Sequence, residues 1–110
     1  MTDVVIFKKK KLGYICAFEL KGHAGYAKEG SDIICAAISI LTINTINSIE
    51  KFTNDKFSLK ENERTGFISF KLRGKPCEDT NLLLKSMILG LTGIVKEYGD
   101  EYIRIIFKEV

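Results

Sequence analysis

A chain of 110 residues with 45% hydrophobic and 28% charged side chains has the composition of one globular domain rather than of a disordered segment. Its formal net charge of +3, from 17 basic and 14 acidic residues, is too small to indicate nucleic-acid binding by itself. The N-terminus lacks a signal pattern, and no apolar run approaches the length needed to cross a bilayer. We therefore expect a single cytoplasmic domain over residues 1–110, with neither a membrane nor a nucleic acid as direct partner.

The first two predicted strands form a hairpin. Residues 3–8 (DVVIFK) and 14–20 (YICAFEL) are rich in β-branched and aromatic side chains, and alternation in the second places Cys16, Phe18 and Leu20 on one face. Four consecutive lysines at 8–11, followed by Gly13, are typical of the connection between them. We interpret this lysine run as a solvated hairpin tip, with an RNA contact as the less favoured alternative.

Residues 32–52 are harder to assign, because their many isoleucines favour a strand on propensity alone. The segment nevertheless runs for about twenty residues without Gly or Pro, well beyond the usual length of a strand. Ser31 or Asp32 could cap a helix at its start. We therefore predict a helix, and the apolar residues that approximate one face of it are Ile34, Ile38, Leu41, Ile49 and Phe52.

The second half of the chain repeats the design. Residues 56–73 predict a hairpin whose turn ends at Gly66, and residues 80–98 have helical apolar spacing between Pro76 and Gly99. Gly90 and Gly93, inside that helix, suggest close approach to a neighbouring element. Residues 102–109 form a last strand. The predicted fold is α+β, a two-layer sandwich of order ββαββαβ with both helices on one face of a mainly antiparallel sheet.

The connection into the first helix carries the candidate site. Gly22, Gly25 and Gly30 predict a loop that can hold or gate something near the helix start, although it lacks the spacing of a phosphate-binding loop. Cys35, three residues after Asp32, falls in the predicted first turn. Unpaired N–H groups and the helix dipole there favour a thiolate and can stabilise an oxyanion, and a nearby histidine could act as base.

The alternative is that Cys35 is a packed core cysteine, since free cysteine is among the most buried residue types. Cys16 lies mid-strand and is expected to serve packing, whereas Cys77 follows Pro76 near a helix start but has no histidine close in sequence. Wide and unequal spacing of the three cysteines indicates neither a disulfide framework nor a zinc site. We expect free thiols, no metal and no cofactor.

The segment GHAGYAKEGSDIICAAISIL strongly resembles the signature of the Prp family, the bacterial ribosomal-processing cysteine proteases. The residues that match it are Gly22, His23, Ala24, Gly30, Asp32, Ile33, Cys35, Ala36, Ala37 and Ser39.

This resemblance implies Cys35 as nucleophile and His23 as general base. It also implies Asp32 and Ser39 as site residues, with Asp32 either capping the helix or orienting His23. The implied substrate is the precursor of large-subunit ribosomal protein twenty-seven, cleaved after a hydrophobic and aromatic stretch near its N-terminus. A homodimer is implied as well.

Two other functions remain open on the residues themselves. A non-catalytic ribosome- or RNA-associated binding module would use the lysine hairpin and survive loss of Cys35. A thiol redox sensor would need Cys35 to oxidise reversibly, and no resolving cysteine is close to it in sequence.

Overall fold

The computed structural model describes residues 1–22 and 31–110, except for the side chains of Ser31 and Asp32. The predicted order ββαββαβ is confirmed. The elements are β1 (Thr2–Lys8), β2 (Ile15–Lys21), α1 (Ser31–Phe52), β3 (Phe57–Asn62), β4 (Phe67–Leu72), α2 (Glu78–Tyr98) and β5 (Ile103–Glu109).

The strands form one five-stranded sheet in the order β3-β4-β2-β1-β5. Three of its pairings, β1 with β2, β2 with β4 and β3 with β4, are antiparallel. The edge strand β5 runs parallel to β1, so the sheet is mixed but mainly antiparallel, as predicted. A parallel neighbour requires a crossover, and α2 supplies it between β4 and β5.

Both helices pack on the same face of the sheet. Alternate strand residues supply the sheet side of the core, and Phe18 stacks on Phe70 with ring centroids 5.0 Å apart. The helices contribute buried side chains to the same cluster, among them Ile38 of α1 and Leu84 of α2. Burying side chains of this size contributes about 1.5–3 kcal/mol each, which makes this layer the main source of stability. The other face of the sheet carries no helix among the described elements.

Helix α1 corrects two expectations. Ile33–Phe52 is long and apolar enough to cross a membrane by length and composition, with a mean hydropathy of 1.5. The core helix of a globular domain meets the same criteria, and Ile34, Ile38 and Ile49 belong to the buried cluster that α1 shares with the sheet. Phe52, predicted on the buried face, is 72% exposed because it ends the helix beyond the sheet-covered turns.

A register irregularity in the first hairpin moves Cys16 off its predicted face. Phe7 lies opposite Ala17, whereas Lys8 lies opposite Ile15, so Cys16 is the extra residue of a bulge. Ile15 takes the buried position, and the Cys16 thiol lies 3.5 Å from the carbonyl oxygen of Phe7. Cys16 therefore does not share a face with Phe18 in the core.

The two glycines of α2 differ in their surroundings. A Cβ on Gly90 would lie 2.6 Å from a methyl carbon of Leu41, so Gly90 allows α1 and α2 to approach closely, as predicted. A Cβ on Gly93 would meet nothing within 4 Å, and the prediction of close approach is wrong for that residue within the described chain.

Candidate active site

Cys35 is half-buried beside a small cavity of about 60 Å³. The cavity lies at the end of the sheet where β1 begins and β2 ends. The described residues that line it are Thr2, Leu20, Gly22, Cys35, Ile38, Ser39 and Gly66. Its walls thus come from two strands, helix α1 and the turn before β4. A free, half-buried thiol thus forms part of the cavity wall.

The helical repeat explains why Cys35 has this position. Ile34 and Ile38 are buried, with exposures of 4% and 1%, and they orient α1 against the sheet. Cys35 and Ser39 each follow one of these anchors and are four residues apart, so they share a face at the margin of the core. Both line the cavity, as the predicted spacing requires. Their chemical roles stay predictions.

Helix α1 begins one residue earlier than predicted, at Ser31 rather than Asp32. Cys35 is therefore the fifth helical residue and begins the second turn. Among the helical residues, the N–H groups without an intrahelical acceptor are those of residues 31–33, in the turn before Cys35, and the dipole effect weakens beyond that turn. Cys35 thus lies farther from the unpaired N–H groups of the helix start than the sequence predicts, which leaves more of its activation to a base.

The predicted base, His23, and the loop glycines Gly25 and Gly30 lie outside the described residues. The side chain of Asp32 lies outside them as well, so neither its capping role nor its orienting role is tested. Of the predicted site residues, the structure brings together Cys35, Ser39 and Gly22.

Gly22 marks the point where β2 ends and the connection to α1 begins. Its φ is +86°, a conformation that L side chains rarely adopt. A Cβ at this position would lie 2.6 Å from the carbonyl oxygen of Met1. The neighbouring N–H of Thr2 donates to Tyr102, so the Met1 carbonyl cannot withdraw freely. Gly22 is therefore required by both the backbone angle and the space available.

We expect Gly22→Ala to lower the free energy of unfolding by about 1–3 kcal/mol, because it adds backbone strain to a close contact. Urea denaturation would measure the change. Gly74→Ala is the matched control, since Gly74 has an ordinary φ and open space around it. Gly13→Ala, with positive φ but no close contact, separates the two causes. Equal stability of the Gly22 and Gly74 variants would contradict this account.

Cys77 has a structural role that the sequence interpretation missed. It caps α2, which begins at Glu78, and its sulfur accepts the N–H of Thr80 at 3.5 Å. Its own N–H donates to the Asp55 carboxylate at 2.9 Å. Cysteine is not among the usual N-cap residues, so only its place after Pro76 could have signalled this role.

Cysteine reactivity offers a comparison inside one molecule. Cys77 is exposed whereas Cys35 and Cys16 are half-buried, so access alone favours Cys77. An activated nucleophile at Cys35 should nevertheless react first with a substoichiometric alkylating reagent at mildly acidic pH. Peptide mapping would assign the labelled residue, with denatured protein as the control for equal intrinsic reactivity. Faster labelling of Cys77 in the folded protein would contradict activation of Cys35 in the resting state.

Metal binding finds no support in the described part of the chain. Within residues 1–22 and 31–110, no group of three or more His, Cys, Asp or Glu side chains could hold an ion. The expectation that the protein works without metal or cofactor stays a prediction.

A sequence model of the family described as "Cysteine protease Prp" matches residues 1–104. The chain belongs to the Prp family of cysteine proteases. A curated Prp relative is the ribosomal processing cysteine protease of Bacillus subtilis (strain 168), 28% identical over 90 residues, which cover 78% of this chain and 80% of the relative. The Staphylococcus aureus (strain Mu50 / ATCC 700699) protein of the same name is 27% identical over 89 residues, 81% and 83% of the two chains.

Solved Prp structures share the whole fold. One is the essential ribosomal processing protease Prp from S. aureus in complex with a substrate peptide, with a TM-score of 0.90, 25% identity and coverage of 98% of this chain and 100% of that chain. The same S. aureus protein in complex with a covalently linked product peptide gives a TM-score of 0.87 at 26% identity, with the same coverage.

Proposed function

We propose that this Prp-family protein is a cytoplasmic cysteine endopeptidase that removes the N-terminal extension from the precursor of large-subunit ribosomal protein twenty-seven. The observation that carries the proposal is the Cys35 thiol at the margin of a cavity where β1, β2 and α1 meet. Relatives named ribosomal processing cysteine protease support the substrate class, and a relative with a covalently linked product peptide supports covalent catalysis.

The proposed reaction uses Cys35 as nucleophile and His23 as base. The Cys35 sulfur, its proton taken by His23, attacks the scissile carbonyl carbon and forms a tetrahedral oxyanion. N–H groups of residues 31–33, which lack intrahelical acceptors, are the nearest candidate donors to that oxyanion. His23 then gives its proton to the leaving amine as the peptide C–N bond breaks. Water hydrolyses the remaining thioester and restores the thiol.

The cavity itself suggests how a substrate would be held. At about 60 Å³ it accommodates a small group only, and the extended chain on either side must lie on the surface. Ser39 is placed to donate or accept a hydrogen bond there, and Gly22 and Gly66 expose backbone rather than side chains. The large side chains of the hydrophobic and aromatic stretch that precedes the cleavage position must therefore lie outside this cavity.

Incubation of the purified precursor with this protein tests the substrate. Mass spectrometry should find one new N-terminus, located after the hydrophobic and aromatic stretch of the extension. The matched sample contains the Cys35→Ala variant and should leave the precursor intact. A precursor that stays uncut, or that is cut at many positions by the wild-type protein alone, would contradict the proposal.

We also propose a homodimer formed through the outer surface of the helix layer. Leu82 and Leu89 lie seven residues apart on α2 and are 65% and 75% exposed, and Ile33 and Ile40 on α1 are 72% and 70% exposed. Light scattering should give twice the chain mass for the wild-type protein and the chain mass for Leu82→Glu/Leu89→Glu. A monomeric wild-type protein would overturn this part of the proposal.

A further inference from the structure

The uncovered face of the sheet has an uneven charge distribution that the net charge of +3 hides. At the end of the sheet far from Cys35, one row of paired residues crosses four neighbouring strands. In strand order from β4 to β5, its members are Lys71, Ala17, Phe7 and Lys108. Opposed residues in neighbouring strands share a face. Two exposed lysines therefore stand in one row with an aromatic ring between them, roughly 14 Å apart across three strand spacings.

A groove of about 500 Å³ lies along the part of this row from Lys71 to Phe7, and Lys108 stands beyond its lining residues. Phe7, Tyr14 and Lys71 line it, together with Lys9 from the hairpin whose tip carries the lysine run. Both rings are partly exposed rather than buried in the core. The backbone N–H of Lys9 donates a hydrogen bond of 2.9 Å to the Tyr14 carbonyl and holds the two sides of the hairpin together at this point. Cations and aromatic faces are thus presented side by side.

These lysines have no acidic partners within residues 1–22 and 31–110. The ion pairs on the uncovered face occur nearer the other end, where Arg104 binds Asp3 at 3.0 Å and Lys21 lies 3.5 Å from Glu19. Glu19 is the acidic side chain among the described residues that line the groove, beside the backbone of Val110, and Lys21 already offsets the Glu19 charge. We name the set Phe7, Lys9, Tyr14, Lys71 and Lys108 the basic sheet surface.

We propose that the basic sheet surface binds single-stranded RNA, separately from the proteolytic site. Lysines supply the attraction to the phosphate backbone, and exposed rings offer faces on which bases stack. An acidic protein would use the cations but not the stacking faces. An anionic membrane would be met best by a convex basic rim, whereas this surface is a groove. RNA uses both the cations and the stacking faces, although the small net charge of the chain led us to expect no nucleic-acid partner.

Fluorescence anisotropy with a fluorescein-labelled 12-nucleotide oligouridylate tests the proposal on the full chain. We expect binding that weakens with salt, with the slope of log K against log salt falling by about 0.7 for each lysine contact removed. Lys71→Ala/Lys108→Ala should weaken binding about tenfold or more. Lys85→Ala/Lys96→Ala on α2 removes the same charge from the helix side and should change binding less than twofold.

Stacking is tested at Tyr14. Tyr14→Leu should lose about fivefold or more in affinity, whereas Tyr14→Phe keeps the ring and should lose less than twofold. Absence of oligouridylate binding at about 50 mM salt, or equal loss in the two lysine double variants, would overturn the proposal. Equal binding of polyglutamate or of phosphatidylglycerol vesicles would overturn it in favour of an acidic protein or a membrane. Cleavage of the precursor by Lys71→Ala/Lys108→Ala without RNA should be unchanged, so this result is independent of the protease assignment.

Discussion

Replacing Cys35 with alanine is expected to lower the rate of precursor cleavage by about three orders of magnitude or more, because the covalent step then has no nucleophile. The fold should persist, since Cys35 is only half-buried and alanine leaves the anchors Ile34 and Ile38 in place. Cleavage is followed by the appearance of the released fragment under single-turnover conditions. Circular dichroism and urea denaturation check that the variant is folded.

Cys77→Ala and Cys16→Ala are matched controls for the loss of a thiol. Cys77→Ala removes the cap of α2 and should lower the stability of the protein. The folded variant should still cleave the precursor within about twofold of the wild-type rate, because Cys77 is not among the described residues that line the Cys35 cavity. If Cys35→Ala cuts the precursor at the wild-type rate, the nucleophile assignment fails.

Removal of His23 should also cost about two to four orders of magnitude in cleavage rate, the usual contribution of a general base and acid. Cys35 begins the second turn of α1, beyond the unpaired N–H groups of the first turn. We therefore expect its attack on the substrate to depend strongly on His23. The measurement is the single-turnover rate of His23→Ala across pH. The cleavage rate of this variant should be partly restored at alkaline pH, where a thiol ionises without a base beside it.

A double variant separates a catalytic unit from two independent effects. Members of a unit act non-additively, so Cys35→Ala/His23→Ala should be no slower than Cys35→Ala alone. If the two residues acted independently, their effects on the cleavage rate would multiply. A double variant that cleaves a hundredfold more slowly than Cys35→Ala would therefore contradict the dyad. A His23→Ala rate within tenfold of wild type at neutral pH would do the same.

The order of elements follows from residue patterns that act over short distances. Alternation identified both hairpins, and length without Gly or Pro correctly favoured a helix over the strand propensity of the isoleucines in α1. Helix starts were less well predicted: α1 begins at Ser31 and α2 at Glu78, where a cysteine replaces the expected kind of cap. The face of Cys16 was wrong because a bulge depends on cross-strand register, which alternation within one strand does not reveal.

Only part of the candidate site could be predicted in the same way. Cys35 follows from its place near the start of the predicted helix and Gly22 from its place in the glycine-rich connection, whereas Ser39 follows from the resemblance to the Prp signature. Thr2 and Gly66 could not be assigned to the cavity, because pairing of β2 with β1 and β4 brings them there from distant parts of the sequence. The basic sheet surface could not be predicted for the same reason, since its lysines are distant in sequence and only strand pairing places them on one face.

The most direct test of Cys35 as the nucleophile is the mass of the protein during turnover. Mixing enzyme with excess precursor, quenching with acid in the first turnover and measuring the intact mass should reveal an adduct equal to the released N-terminal fragment less one water. Fragmentation should place that thioester on Cys35, and His23→Ala should accumulate little of it. Product release with no adduct at any time point, or an adduct on Cys16 or Cys77, would contradict the assignment of Cys35.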